Sequence, residues 1–466
     1  METPIMDEKT VKKRIWFVAA LIVAGIIMSL PTPDGLTPDG HKTIALLIMV
    51  VILFVTEAIP AAAIALLIGV FEVCVVGMDP NDAAKSYMKD AVAFIMGSLM
   101  IAVVMVKHGI AQKIVLQILT HIGTKVSRIT YGIVGACALT SAFITEHVIA
   151  AAMLPVALAI SKLSGGFRKN PNLTKLLLFA IAYGCAIGGL ATPSGGARNI
   201  IMMEYLDGMY GIGIGYAEWM IYAFPITIML IPIVGFLLLR TFKPEVSDIT
   251  DVVDTLKEED SETPVGLRQY LVIGIFLVIL ALWIFGRDYG IGLGTAAVMG
   301  AILYLIFGLA RWRDYNSGVA WGVVILYAGA ISLGFELMDS GAALWISNQF
   351  LSVIPASSLI PSFVSAFTIF TTNTMSDGAT VSVIGPIMLQ MAHNSGINPL
   401  LIGLITSISS AFAYVLIIGN PPNAIIHSSG FVTGRDFLKA GAIITVISFI
   451  VLLLVVNVYW IGILGL

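Results

Sequence analysis

Apolar stretches long enough to cross about 30 Å of hydrocarbon, near 20 residues of helix, recur along almost the whole chain, separated by short polar or Gly- and Pro-containing turns. They run near 15–30, 43–59, 61–77, 91–107, 173–190, 219–240, 268–285, 292–309, 320–338, 399–418 and 441–465. This pattern predicts an all-α multi-spanning membrane protein with about 11 transmembrane helices. Between 241 and 267 the pattern stops. Lys243-Pro244-Glu245 opens a hydrophilic stretch with Asp248, Asp251, Asp254, Glu258, Glu259, Asp260 and Glu262. A charge run of this kind reads as a solvated linker, here between a first membrane half, 15–240, and a second, 268–466. Lys12, Lys13 and Arg14 precede the first span, and no small-residue cleavage pattern follows Leu30. The first span is therefore expected to be retained, with residues 1–14 in the cytoplasm. An odd number of spans then places Leu466 outside, for a protein of the cell membrane.

Composition sharpens this picture. Of 466 residues, 58% are hydrophobic and only 11% are charged, with a mean hydropathy of +0.97. An ordinary soluble domain keeps about a quarter of its residues charged, so the partner here is the lipid bilayer. The formal charge of −3 shows no basic excess, which argues against nucleic acid. Cys74, Cys137 and Cys185 sit in apolar surroundings without metal-ligand spacing, and neither a metal nor a cofactor is expected.

The two halves resemble each other. Ser141-Ala142-Phe143-Ile144-Thr145-Glu146-His147 runs on to Pro155, and Asn373-Thr374-Met375-Ser376-Asp377-Gly378 runs on to Pro386; Thr145 to Pro155 and Ser376 to Pro386 are both ten residues. Downstream, Gly195-Gly196-Ala197-Arg198-Asn199 corresponds to Gly419-Asn420-Pro421-Pro422-Asn423. Such Gly and Pro clusters break a helix. Within a membrane the freed backbone groups are tolerated only where they are buried in protein or line a wet cavity. Helix N-termini present N–H donors with partial positive charge, and Thr145, Ser376, Asn199, Asn420 and Asn423 add hydrogen-bonding side chains. A small anion near the midplane is the expected guest, as in inverted-repeat transporters.

The run from Ile418 through Gly419-Asn420-Pro421-Pro422-Asn423 to Gly430, together with Thr56-Glu57-Ala58-Ile59-Pro60, resembles the divalent anion:sodium symporter family, which carries dicarboxylates, citrate and sulfate. The resemblance covers nearly the whole chain. It implies a homodimer whose protomers have scaffold and transport domains, with two re-entrant hairpins in an inverted repeat, here near 126–160 and 356–392, and an elevator movement. It also implies that the hairpin tips contact a small dianionic substrate. By spacing these tips are Thr145-Glu146-His147 and Ser376-Asp377-Gly378; by letters the second could instead be Thr372-Asn373-Thr374.

Where the family has neutral oxygen ligands for sodium, this chain has Glu146, His147 and Arg198. A fixed positive charge opposes sodium there. Arg198, with His147 when protonated, is therefore expected to balance a C4 or C5 dicarboxylate such as succinate, malate, fumarate or 2-oxoglutarate, while Glu146 orients or pairs with them and Asp377 is a further coupling group. That reading predicts sodium-independent anion exchange, because an empty carrier with uncompensated charge crosses the barrier at a cost. Sodium- or proton-coupled symport of dicarboxylate, citrate or sulfate is the alternative. An intramembrane enzyme using Glu146 and His147 finds no HExxH or GxSxG motif in support.

Overall fold

The computed structural model describes residues 8–250, 266–354 and 356–466; most of the acidic linker, including Asp251 to Glu262, lies outside the described residues. The first half contains α1 (Glu8–Ser29), α2 (Pro38–Thr56), α3 (Ala61–Phe71, extended by a π turn over Glu72–Val76), α4 (Pro80–Ser86), α5 (Asp90–Lys107), α6 (Ile110–Ile122), α7 (Val126–Phe143), α8 (Glu146–Leu163), α9 (Pro171–Gly189), α10 (Ala197–Tyr210) and α11 (Tyr216–Thr241). The second contains α12 (Leu267–Phe285), α13 (Leu293–Ile306), α14 (Trp312–Gly318), α15 (Trp321–Asp339), α16 (Ala342–Val353), α17 (Ile360–Thr374), α18 (Asp377–Asn394), α19 (Pro399–Ser410), α20 (Pro421–Ser428) and α21 (Gly434–Val455).

From α2 to α11 and from α12 to α21 the same ten elements follow in the same order. Asp90 and Trp321, which open α5 and α15, are 231 residues apart, as are Glu146 and Asp377, which open α8 and α18. Packing repeats as well. A Cβ on Gly97 would lie 2.6 Å from the backbone of Ala297, and one on Gly329 would lie 2.6 Å from that of Ala65. Both contacts shift by 232 residues between halves, so α5 on α13 and α15 on α3 are one interface built twice, each allowed by a glycine.

The helices differ in part from the expected eleven spans. Among the described residues nine are long and apolar enough to cross a membrane, and these include both α7 and α8. The stretches expected near 61–77, 292–309 and 399–418 form shorter helices, and α1 is not among the nine. Within 399–418 the α-helix ends at Ser410, and α17 bonds the backbone that follows. Thr372 Oγ1 donates to the Ser410 carbonyl at 2.7 Å, and Asn373 Oδ1 accepts the N–H groups of Val415 and Leu416 at 3.0 and 3.3 Å.

Packing crosses between the halves. α10 lies against α18 and α19, while α20 lies against α8 and α9. Large apolar side chains face outward on α1, α12 and α21, among them Ile22, Leu277 and Ile450, as a lipid-facing surface requires.

Candidate functional site

Two turns of the same design set the site. α7 ends at Phe143, Ile144 and Thr145 follow, and α8 begins at Glu146; α17 ends at Thr374, Met375 and Ser376 follow, and α18 begins at Asp377. Thr372-Asn373-Thr374 falls in the last turn of α17 rather than at the turn itself. The Ser376 hydroxyl accepts the Ala379 N–H at 3.4 Å, whereas Thr145 makes no side-chain cap bond. The N-termini of α8 and α18 do present N–H groups, but the chain itself supplies acceptors there, an acid at α18 and a backbone carbonyl at α8. Asp377 Oδ1 accepts the Gly378 N–H at 2.7 Å, and the Glu146 N–H is taken by the Gly195 carbonyl at 3.1 Å. An anion at a helix N-terminus is favourable; at α18 that anion is the Asp377 side chain.

The two helix breaks are braced identically. Asn199 Nδ2 donates to the carbonyls of Gly189 and Thr192, ten and seven residues upstream, at 2.8 and 2.7 Å. Asn423 Nδ2 donates to Ala413 and Leu416, again ten and seven residues upstream, at 2.8 and 3.1 Å. Asn199 Oδ1 also accepts from Ser407 at 3.0 Å. Both asparagines are almost fully buried, at 0% and 1% exposure. Their expected role as substrate ligands is therefore corrected: their amides satisfy backbone carbonyls freed by the breaks, as unpaired groups at that depth require.

Arg198 forms the centre of the site. Its Nη1 donates to Glu146 Oε1 at 2.8 Å and its Nη2 to Glu146 Oε2 at 3.2 Å, while Nη1 also contacts Asp377 Oδ2. The three residues are sealed, with 1% of Arg198, 4% of Glu146 and 3% of Asp377 exposed. Glycines make the room: a Cβ on Gly189 or Gly196 would stand 2.9 Å from the guanidinium. This overturns the expectation of a free positive charge for the substrate. Arg198 is shared by two carboxylates, one from each half, and with all three ionised the cluster carries one net negative charge.

Beside this triad lies a cavity of about 330 Å³, at the small end of ligand pockets. Thr145, Glu146, His147 and Asp377 form its polar wall, and Phe94, Leu99 and Ile425 contribute to the apolar one. Arg198 stands behind the wall. Ser376 instead faces a separate cleft of about 390 Å³ shared with Lys13, Glu57 and Pro60. Gly378 is covered by the ring of Tyr327, and Gly419 and Pro422 are buried in the second break. Pro421 does line the cavity. Asn420 is buried, and neither of its side-chain polar atoms has a partner. Two residues that sequence reasoning missed join the lining: Tyr327 of α15 and Ser98 of α5, whose buried hydroxyl is unpartnered. Both sit inside uniform apolar runs, with no local motif around them.

A family model described as the sodium:sulfate symporter transmembrane region matches residues 11–466. The chain is 27% identical over 453 aligned residues to the sodium-dependent dicarboxylate transporter SdcS of Staphylococcus saprophyticus, covering 91% of this chain and 87% of that one. It is 28% identical over 485 aligned residues to SdcS of Staphylococcus aureus, covering 96% and 92%. Among solved structures it is similar in fold to Neisseria gonorrhoeae MtrF, at a TM-score of 0.56 and 11% identity over 98% of this chain and 96% of that one. The Alcanivorax borkumensis YdaH transporter gives 0.56 and 12% over 97% and 99%.

Proposed function

Since the chain belongs to the sodium:sulfate symporter family, and is therefore a multi-pass membrane transporter rather than an enzyme, we propose that it carries C4 and C5 dicarboxylates together with sodium. The observation that carries this reading is the engagement of Arg198 by Glu146 and Asp377. A dianion entering the neighbouring cavity meets a wall that is already negative. At protein-interior dielectric such repulsion is far larger than in water, so cations have to enter with the substrate.

Sodium-independent exchange gives way for the same reason. It rested on spare positive charge in the empty carrier, and Arg198 has none to spare. The relatives named as sodium-dependent dicarboxylate transporters support the symport reading. So do buried oxygens without protein partners, those of Ser141, Thr380 and Asn420, because hard cations take oxygen ligands. Within this reading the substrate's carboxylates face Thr145, His147, Ser98 and Tyr327. The scaffold–transport division, an elevator movement and a homodimer belong to the same proposal. So does a cytoplasmic N-terminus, supported by Arg14, Lys125, Arg168, Lys169 and Lys243 at helix ends and connections that this orientation puts inside.

The test is uptake of labelled succinate by reconstituted protein under an inward sodium gradient. Uptake is expected to follow sodium and to need no internal anion. Uptake indifferent to sodium but dependent on preloaded dicarboxylate overturns the proposal.

A further inference from the structure

Sodium-coupled uptake, on which this inference rests, leaves the sealed triad itself unbalanced. It holds one guanidinium and two carboxylates, and at 1–4% exposure it offers no room for a hydrated ion. The two acids are also close neighbours, because Glu146 Oε1 and Asp377 Oδ2 both accept from the same nitrogen, Nη1 of Arg198. With both ionised around one guanidinium, the sealed centre keeps one uncompensated negative charge, which burial opposes.

The other titratable groups around the pair do not change the count. Tyr327 approaches from α15, Tyr414 from the loop before α20, Cys185 from α9 and His147 from α8. Arg198 is the one cation ion-paired with either acid among the described residues. A path for a proton is also present. His147 follows Glu146 directly and borders both the substrate cavity and a second, more open cleft of about 670 Å³, whose rim includes Lys107, Gln112 and Asp314.

We infer that Glu146 and Asp377 together hold one exchangeable proton that is taken up with the dicarboxylate and released with it, so that the transporter moves a proton in addition to sodium. The protonated triad is neutral and accepts a dianion beside it; the deprotonated triad repels it. By linkage, a dianion that binds the protonated form better must in turn tighten proton binding, and its departure must loosen it. The proton rests on the facing carboxyl oxygens of the two acids and leaves past His147 into the cleft.

The experiment uses the full chain in liposomes loaded with a fluorescent pH indicator, with the voltage clamped by potassium and valinomycin. An inward sodium gradient is imposed and succinate is added at alkaline pH, where it is a dianion and carries no proton of its own. The lumen is expected to acidify in step with labelled uptake, at one proton per dicarboxylate, and the KM for succinate to rise with increasing pH. In Glu146→Gln and Asp377→Asn, whatever uptake persists is expected to proceed without acidification. Sodium-driven uptake by the unaltered protein with no change in lumenal pH overturns the inference and leaves the symport reading standing. Absence of sodium-driven uptake overturns the symport reading itself. Acidification that survives both substitutions but is lost in Glu72→Gln assigns the proton to the buried carboxyl of Glu72 beside Ser332, and overturns the assignment to the triad.

Discussion

At the break after α9, Gly196, Ala197 and Arg198 precede Asn199; at the break after α19, Asn420, Pro421 and Pro422 precede Asn423, with every pair 224 residues apart. The asparagines do the same work at the same offsets. The residues before them do not. Gly196 leaves the space that the Arg198 guanidinium fills, whereas its counterpart Asn420 keeps a full side chain, and Pro422 stands where Arg198 would be. The tips differ in the same way. Glu146 and Asp377 correspond, but the next position is His147 in one half and Gly378 in the other, where Tyr327 closes over the backbone. What repeats is whatever holds a broken helix in lipid, because backbone geometry is common to both halves. What diverges is the charge placed between them, because one arginine serves two acids and a second would have none.

The sharpest way to break the comparison is Arg198→Gln against Pro422→Ala. Removing the arginine leaves two buried carboxylates without their cation, and breaking such a buried ion pair costs about 3–5 kcal/mol. Uptake should fall to background and the detergent-solubilised protein should melt earlier, while Pro422→Ala should keep most of its uptake. Comparable losses in the two variants would dissolve the asymmetry.

Asn199→Ala and Asn423→Ala test the shared part. Each removes the side-chain donor from two buried carbonyls, although at the first break the Thr192 carbonyl still accepts the Gly195 N–H at 3.2 Å; at about 1–2 kcal/mol per group left unpaired the penalty is roughly 1–4 kcal/mol. Thermal unfolding should show two similar losses, since at Asn199 the Ser407 hydroxyl also loses its acceptor while Thr192 keeps a backbone donor. A neutral result at either site would mean that the breaks are held by something else.

Gly378→Ala should slow uptake by roughly ten- to a hundredfold through displacement of the tip from the cavity, since the new methyl group meets the Tyr327 ring. The corresponding His147→Ala should leave folding intact, measured as an unshifted gel-filtration peak, because that position already accommodates an imidazole.

The smallest effect concerns the turns. Ser376→Ala removes a long capping bond and should cost no more than about 1 kcal/mol, with Thr145→Ala costing less because Thr145 caps nothing. Melting temperatures of the two variants, compared side by side, check the order.

The periodic skeleton was legible because spacing survives substitution. The ten-residue interval from Thr145 to Pro155, kept from Ser376 to Pro386, located both turns, and the Gly-rich and Pro-rich clusters located both breaks. The partners of each side chain were not legible. Asn199 read as a ligand because an asparagine at a break looks the same in sequence whether it faces a substrate or a carbonyl ten residues back. Arg198 read as the substrate's counter-charge, with Glu146 as its one possible partner, because its second acid, Asp377, is 179 residues away, and the acids that open α8 and α18 read as substrate contacts. Ser98 and Tyr327 carry no signal at all; they matter only because folding brings α5 and α15 to the cavity.

The separation of Arg198 from its two acids also sets an order of events on the ribosome. Glu146, 52 residues before Arg198, is already made when the arginine emerges, so the nascent first half can pass through the insertion machinery as a neutral couple. Asp377 is translated much later and arrives at a guanidinium that is already engaged. The second half therefore completes the centre from the outside of an already paired couple, and the contact between the halves is the last of its three arms to form.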